Sequence, residues 1–333
     1  MFKKFGRNLI FFLILLILMF VFLFKGMDYG ELFKTILKIS PLYILLGLLF
    51  KFCYLLGDAI NIKIIFKEFG VKMSLAAALK YSFIGFFYSA ITPSSTGGQP
   101  MQIYHMKKDG IDFSHSTMVL LILLTSFHIA TLSLMIIGVI LNWKYLIHNM
   151  HFFTIIFVFG VIVSFSILLL LTSLLFSKKA PGVIRKIVKF ILKLFNIKSK
   201  DKILKRLDEE IANYSELSEY LKTHKSLLIK VGIVTIAQIV IYHSIPYISL
   251  LAFGKTASYI KVMTIHAVLF SSIQAIPLPG SIGVNEIGFK VLFGPIFGKN
   301  LINSAVLLTR FMEFYLYVII SAVISIVAYL KKK

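Results

Sequence analysis

Two hydrophobic stretches of this chain are broken by proline and glycine in the same way, and few positions in a lipid-embedded protein tolerate such a break. The first reads Ala90-Ile91-Thr92-Pro93-Ser94-Ser95-Thr96-Gly97-Gly98-Gln99 and runs on to Leu123-Leu124-Thr125-Ser126-Phe127. The second reads Ala275-Ile276-Pro277-Leu278-Pro279-Gly280-Ser281-Ile282-Gly283 and runs on to Leu307-Leu308-Thr309-Arg310-Phe311. With small gaps, Pro93 aligns with Pro279, Ser95 with Ser281, Gly97 with Gly283, Thr125 with Thr309 and Phe127 with Phe311. Irregular backbone at membrane depth survives only where protein buries it or where it lines a wet cavity. Interrupted hydrophobic segments at matching positions of two halves point to the central site of a transporter.

Composition narrows the class. A mean hydropathy of +0.89 with 58% hydrophobic residues excludes a soluble globule, in which roughly half of the residues are apolar. The formal net charge of +22 lies in loops beside hydrophobic runs, where Lys and Arg mark the cytoplasmic side and meet anionic lipid. A nucleic-acid partner is therefore not expected. One cysteine, Cys53, rules out a disulfide framework within the chain. The run from Asn8 to Phe24 follows Lys3, Lys4 and Arg7, yet no small-residue cleavage site follows it, so it reads as a retained span.

Full spans are expected at roughly 8–24, 41–62, 116–141, 152–176, 227–253 and 301–330, each near the about 20 residues that cross a bilayer. Two further apolar segments, about 73–91 and 258–276, run into the breaks. Basic residues at Lys63, Lys67, Lys72, Lys107, Lys108, in 178–225 and at both termini all favour the cytoplasm, whereas 142–151 and 254–261 are nearly uncharged loops. These preferences agree only if segment 73–107 enters and leaves from inside and segment 258–298 from outside. The expected fold is therefore all-α and polytopic, with about six full spans and two re-entrant hairpins in an inverted repeat, about eight hydrophobic helices in all. A full crossing by 73–91 is the rival topology. The whole chain, 1–333, forms one domain: repeat 1 over about 41–141, a basic cytoplasmic connector over 178–225, and repeat 2 over about 227–330. Within the connector, basic and apolar residues alternate at helical spacing from Val183 to Phe195, as in an interfacial amphipathic helix.

Charges inside spans cost about 2.5–3.5 kcal/mol each on insertion scales, so each needs a reason. Arg310 and Glu313 lie one helical turn apart, and Lys51 and Asp58 two turns apart. Asn285 and Glu286 follow the second tip. Two readings stand for Arg310: helix pinning, or a bidentate hold on an anionic headgroup. The tip Thr92, Pro93, Ser94, Ser95, Thr96, Gly97, Gly98, Gln99 is either an anion site at a helix start or a turn that satisfies its own backbone. The second tip comprises Pro277, Pro279, Gly280, Ser281 and Gly283. His105, His128, His243 and His266 are scattered without metal-ligand spacing, and no nucleotide, nucleophile or CxxC motif occurs. No metal, cofactor or catalytic residue is expected.

With these residues, the chain resembles the lysylphosphatidylglycerol synthase transmembrane family of flippase-like proteins. The resemblance rests on Thr92-Pro93 with Gly97-Gly98-Gln99, on Ile276 to Glu286, and on Arg310 followed by Tyr315 and Tyr317. Ser281 stands where the family pattern has a second glycine. The resemblance implies a multi-pass inner-membrane protein, both termini cytoplasmic, that moves an anionic or aminoacylated phospholipid between leaflets and serves envelope lipid homeostasis and cationic-peptide resistance. A separate lipid-modifying enzyme and a second copy of the chain are the implied protein partners. In two-part synthases a cytosolic lysyl-tRNA-dependent transferase follows this module; here Lys333 comes directly after the last span, so that domain is expected to be missing. A phosphatidylglycerol lysyltransferase, alone or as a membrane subunit, and a small-solute or ion transporter are the alternative functions.

Overall fold

The computed structural model describes residues 34–150, 153–177, 180–194 and 200–330. The span expected over 8–24 lies outside them. Among the described residues there are helices and turns and no strand. Five helical stretches are long and apolar enough to cross a membrane: 41–68, 113–141, 153–176, 225–252 and 302–330.

The same order of elements occurs twice. The first set is α1 (Pro41–Glu68), α2 (Leu75–Ala90), a 3-10 turn at Pro93–Ser95, α3 (Gly98–Lys108) and α4 (Phe113–Leu141). After α5 (Trp143–Met150), α6 (Phe153–Phe176), α7 (Ala180–Leu194) and α8 (Lys200–Thr223), the order returns. It runs α9 (Lys225–His243), α10 (Ile245–Ala252), α11 (Tyr259–Ile273), a 3-10 turn at Pro279–Ser281, α12 (Val284–Phe297), α13 (Ile302–Arg310) and α14 (Leu316–Leu330), with a π-helical stretch at Phe311–Tyr315 between the last two.

Chain punctuation repeats with the elements. α1 stops at Phe69-Gly70 and α10 at Phe253-Gly254, both glycines at positive φ (75° and 65°). In each case the next N–H, of Val71 or Lys255, reaches the carbonyl five residues back, Phe66 or Leu250, which closes the helix end. Four residues after each glycine a serine caps the next short helix: Ser74 accepts from the Ala77 N–H at 3.1 Å and Ser258 from the Lys261 N–H at 3.5 Å.

Helix lengths decide between hairpin and full span. α2 has 16 residues and α3 has 11, about 24 and 17 Å at 1.5 Å per residue, too short to cross about 30 Å of hydrocarbon. The start of α2 is tied to the end of α3, because Asp109 takes Lys80 Nζ at 2.5 Å and the Tyr81 hydroxyl at 2.6 Å. Segment 73–107 therefore enters and leaves on one face. α11 and α12, with 15 and 14 residues, form the second hairpin from the opposite face, where α4 and α10 end. The two halves interlock: α2 packs on α1 and α14, α11 packs on α4 and α6, and the two 3-10 tips touch.

Three expected boundaries differ. The stretch 142–151, read as a loop, holds helix α5, whose Tyr145 hydroxyl donates to the Leu292 carbonyl at 2.6 Å and braces the second hairpin. α1 runs on to Glu68, so Lys63 and Lys67 sit on its last turns. The connector is helical, as its periodicity predicts, but α8 is docked rather than solvated. Its Tyr214 and Ser218 hydroxyls donate to the Leu174 and Leu175 carbonyls near the end of α6, and its Glu210 accepts from the Ser114 N–H at the start of α4. Such partners satisfy helix-end groups that lack an intrahelical bond. Arg185 on α7 pairs with Asp208 on α8 at 2.6 Å and holds that carboxyl below its ordinary range.

Close backbone approach fixes the α4–α11–α6 layer. A Cβ at Gly138 on α4 would meet the Thr264 carbonyl oxygen at 2.6 Å, and one at Gly160 on α6 would overlap the Ser272 backbone. Small residues at such crossings let membrane helices pack by van der Waals contact. Gly138→Leu is expected to destabilise by about 1–3 kcal/mol through overpacking, whereas Gly232→Ala, with nothing near its Cβ position, should not. Thermal unfolding in micelles checks the contrast; equal melting would contradict the packing.

Candidate functional site

The site begins with a problem of buried charge. Arg310, Glu286 and Glu313 are all excluded from the surface, and an ionised group in a low-dielectric interior is costly unless paired and hydrogen-bonded. Arg310 resolves this with three nitrogens. Nε donates to Glu286 Oε1 at 2.8 Å, Nη1 to Glu313 Oε1 at 3.4 Å and Nη2 to the Gly280 carbonyl at 3.1 Å. Its guanidinium carbon also lies 4.2 Å from the Phe314 ring centroid. Glu286 sits in the first turn of α12, where a carboxylate complements the helix dipole. Its Oε2 accepts from the Gly283 N–H at 2.7 Å and its Oε1 also from the Tyr315 hydroxyl at 3.2 Å. Arg310 thus clamps the second tip and α12 onto the last span.

Both tips turn through the same left-handed backbone, strained at two residues in the first and at Ser281 in the second. Ser94 and Ser95 have φ of 47° and 56°, and at the matching positions Gly280 and Ser281 have 58° and 50°. Left-handed non-glycine residues cost of order 1–3 kcal/mol and persist where their surroundings fix them. The first tip largely satisfies its own backbone. Thr92 Oγ1 donates to the Tyr88 carbonyl and accepts from the Gly97 N–H at 2.9 Å, while the Ser95 and Thr96 N–H groups donate to the Thr92 and Pro93 carbonyls. For these three N–H groups the turn reading describes the tip, not the anion site.

One cavity of about 430 Å³ gathers residues from both halves. Of the sequence candidates, Lys51, Asp58, Asn285, Arg310, Glu313, Ser94, Ser95, Thr96, Gln99, Gly280 and Ser281 line it. Glu286, Thr92, Pro93, Gly97, Gly98, Pro277, Pro279 and Gly283 are not on its wall; they shape the tips behind it. Lys51 does not reach out to the interface. It is buried, with Nζ 4.5, 4.2 and 4.8 Å from the ring centroids of Tyr54, Phe86 and Tyr242. Aromatic faces stabilise a desolvated cation by up to about 2 kcal/mol or more. Among the described residues, this ammonium has no hydrogen-bonded acceptor, so its donors face the cavity. Asp58, two turns along, faces Ser82 instead.

Sequence reasoning missed Asn61 and Gln238 on the wall. With Asn285, each holds a side-chain oxygen without a hydrogen-bond partner among the described residues, and all three line the cavity. It also missed the contact of His243 with His266, whose Nδ1 atoms lie 3.1 Å apart. Spacing along the chain carried no signal, because these histidines belong to α9 and α11, 23 residues apart. The π-helical stretch carrying Glu313 was equally unreadable; such insertions often occur at functional sites.

Fold and site together define a polytopic helical membrane protein with a hairpin-lined internal cavity. The chain belongs to the family described as the lysylphosphatidylglycerol synthase TM region, whose model matches residues 8–321. It is also similar to a UPF0104 membrane protein of Archaeoglobus fulgidus, 21% identical over 308 residues, which cover 90% of this chain and 91% of that one.

Removing the cation of the clamp should expose its role. Arg310→Met leaves two buried carboxylates against one another and is expected to cost about 3–5 kcal/mol. Arg310→Met combined with Glu286→Gln should recover part of that loss. Melting temperatures of the single and double variants measure it, and a double variant no more stable than the single one would contradict the clamp.

Proposed function

We propose that this protein moves a polar lipid between the leaflets of the cell membrane, holding the headgroup in the central cavity while the acyl chains stay in the bilayer. The observation that supports it best is Lys51: a buried, aromatic-caged cation without a hydrogen-bonded acceptor among the described residues, facing a cavity that both tips line. A phosphate-bearing headgroup supplies the missing acceptors. The unpartnered amide oxygens of Asn61, Gln238 and Asn285 suit hydroxyl or ammonium donors on the same headgroup. About 430 Å³ is at the small end of ligand sites, about 300–1,000 Å³, the size of a headgroup rather than a whole lipid.

Loop charge supports a cytoplasmic position for the face where α1, α3, α6 and α14 end, because Lys63, Lys67, Lys72, Lys107 and Lys108 lie on it. Two hairpins from opposite faces offer a route to alternating access by rocking one half against the other. Membership in the family adds the lipid context, since the family's name refers to synthesis of a lysylated phospholipid.

The assay is leaflet-selective quenching of fluorescent phosphatidylglycerol and phosphatidylcholine in proteoliposomes. Lys51→Met is expected to slow the anionic probe about tenfold or more, the worth of one charge-assisted hydrogen bond of about 1.5–3 kcal/mol. Lys51→Arg should retain most of the rate. Wild-type protein that is folded and reconstituted yet moves neither probe would refute the function. An unaltered rate in Lys51→Met would remove the lysine from it.

A further inference from the structure

We propose that Glu313, His266 and His243 form a proton relay leading away from the cavity wall, so that passage of the headgroup is coupled to proton movement. For the driving role this rests on the translocase reading; the relay itself does not. Glu313 Oε1 is taken by Arg310, but among the described residues Oε2 has no hydrogen bond, and it faces His266 Nε2 at 3.6 Å. His266 turns its other nitrogen to His243, and His243 Nε2 at the far end again has no partner among the described residues. Three buried titratable groups on the π-helical stretch, α11 and α9 thus stand in line, with an unsatisfied polar atom at each end.

Tautomer logic gives the line two states. Facing Nδ1 atoms at 3.1 Å require one to carry the proton and the other to accept it, because two N–H groups or two lone pairs would repel. If His266 holds it, His266 Nε2 is a bare acceptor, matched only by a protonated Glu313. If His243 holds it, His266 Nε2 is an N–H, matched by a Glu313 carboxylate. The first state converts to the second in one chain of transfers. Glu313 Oε2 gives its proton to His266 Nε2, His266 Nδ1 gives its proton to His243 Nδ1, and His243 Nε2, enclosed at rest, gives its proton to water once movement of the halves wets it. One proton leaves, Glu313 becomes negative, and each imidazole keeps a single proton, moved from one nitrogen to the other.

The surroundings favour passage along this line. Rings of Tyr242, Phe270 and Phe293 lie within about 5–6.5 Å of the two imidazoles and leave little room for a parallel water path. The groups that bear on Glu313 are Lys51 from α1, Arg310 from its own span and Glu286 from α12. Tyr242 of α9 bears on Glu313 in turn. An anionic headgroup arriving at Lys51 neutralises the cation that favours the Glu313 carboxylate. Glu313 then takes up a proton, and releases it through the histidines when the headgroup departs.

Two measurements test this. In the first, infrared titration of the protonated-carboxyl band and nitrogen-15 spectra of labelled histidines follow the purified protein in nanodiscs. One component of the band and the tautomers of His243 and His266 should change together with pH, and Glu313→Gln, nearly isosteric, should remove that component, leaving any from the buried Asp58 and Glu286, and freeze the tautomers. A band that Glu313→Gln leaves unchanged, or tautomers that ignore pH, overturns the relay. In the second, a pH gradient is imposed on proteoliposomes at clamped potential with fluorescent phosphatidylglycerol as probe. One proton per cycle gives about tenfold leaflet asymmetry per pH unit, and His266→Gln should abolish that asymmetry. Wild type that moves the probe but ignores the gradient overturns the coupling and leaves the translocase reading intact. Wild type that moves no probe defeats that reading, and the spectra alone then decide the relay.

Discussion

The structure depends on one constraint: a guanidinium and two carboxylates taken out of water must satisfy one another. Arg310 does this by tying the Gly280 carbonyl and the Glu286 carboxylate, 30 and 24 positions away, to its own neighbour Glu313. Glu286 passes the connection on, through the Gly283 N–H, to the start of α12. The strained second tip is held because its carbonyl and its amide are both pinned to this charge cluster. The first tip has no such clamp and relies on its own hydroxyls and on contact with the second. The halves are alike in backbone but not in chemistry.

Arg310 being occupied changes which cation matters. Its Nε, Nη1 and Nη2 each have a protein acceptor, so it orders the wall, and Lys51 is the cation with donors to offer. The aromatic cage around Lys51 is assembled from α1, α2 and α9, and α1 is the element on which α2, α9 and α10 all pack. A shift of one half against the other would therefore alter the cage and the lysine's exposure together. Glu313 lies on the π-helical stretch of the last span, between this cavity and the buried histidine pair.

Much of this was legible in the chain. Hydropathy and loop charge determined an all-helical, multi-pass membrane protein, and the paired Pro-Ser/Gly-Ser breaks determined two matching hairpins, because non-helical backbone in lipid must be buried or line a cavity. The rarity of charge in such spans picked out Arg310, Glu313, Lys51 and Asp58, and all four line the cavity. Helix length and the Asp109 tie, neither of which hydropathy can see, favour the hairpin over the rival full crossing of 73–91. The sequence by itself determined which residues had to be explained. Only the tertiary structure decided who partners whom: Arg310 with Glu286, Lys51 with three ring faces, His243 with His266. Hydrogen bonds and ring contacts act over a few ångströms, yet Arg310 and Glu286 stand 24 positions apart, Lys51 and Phe86 35, and Lys51 and Tyr242 191, separations that no local pattern encodes.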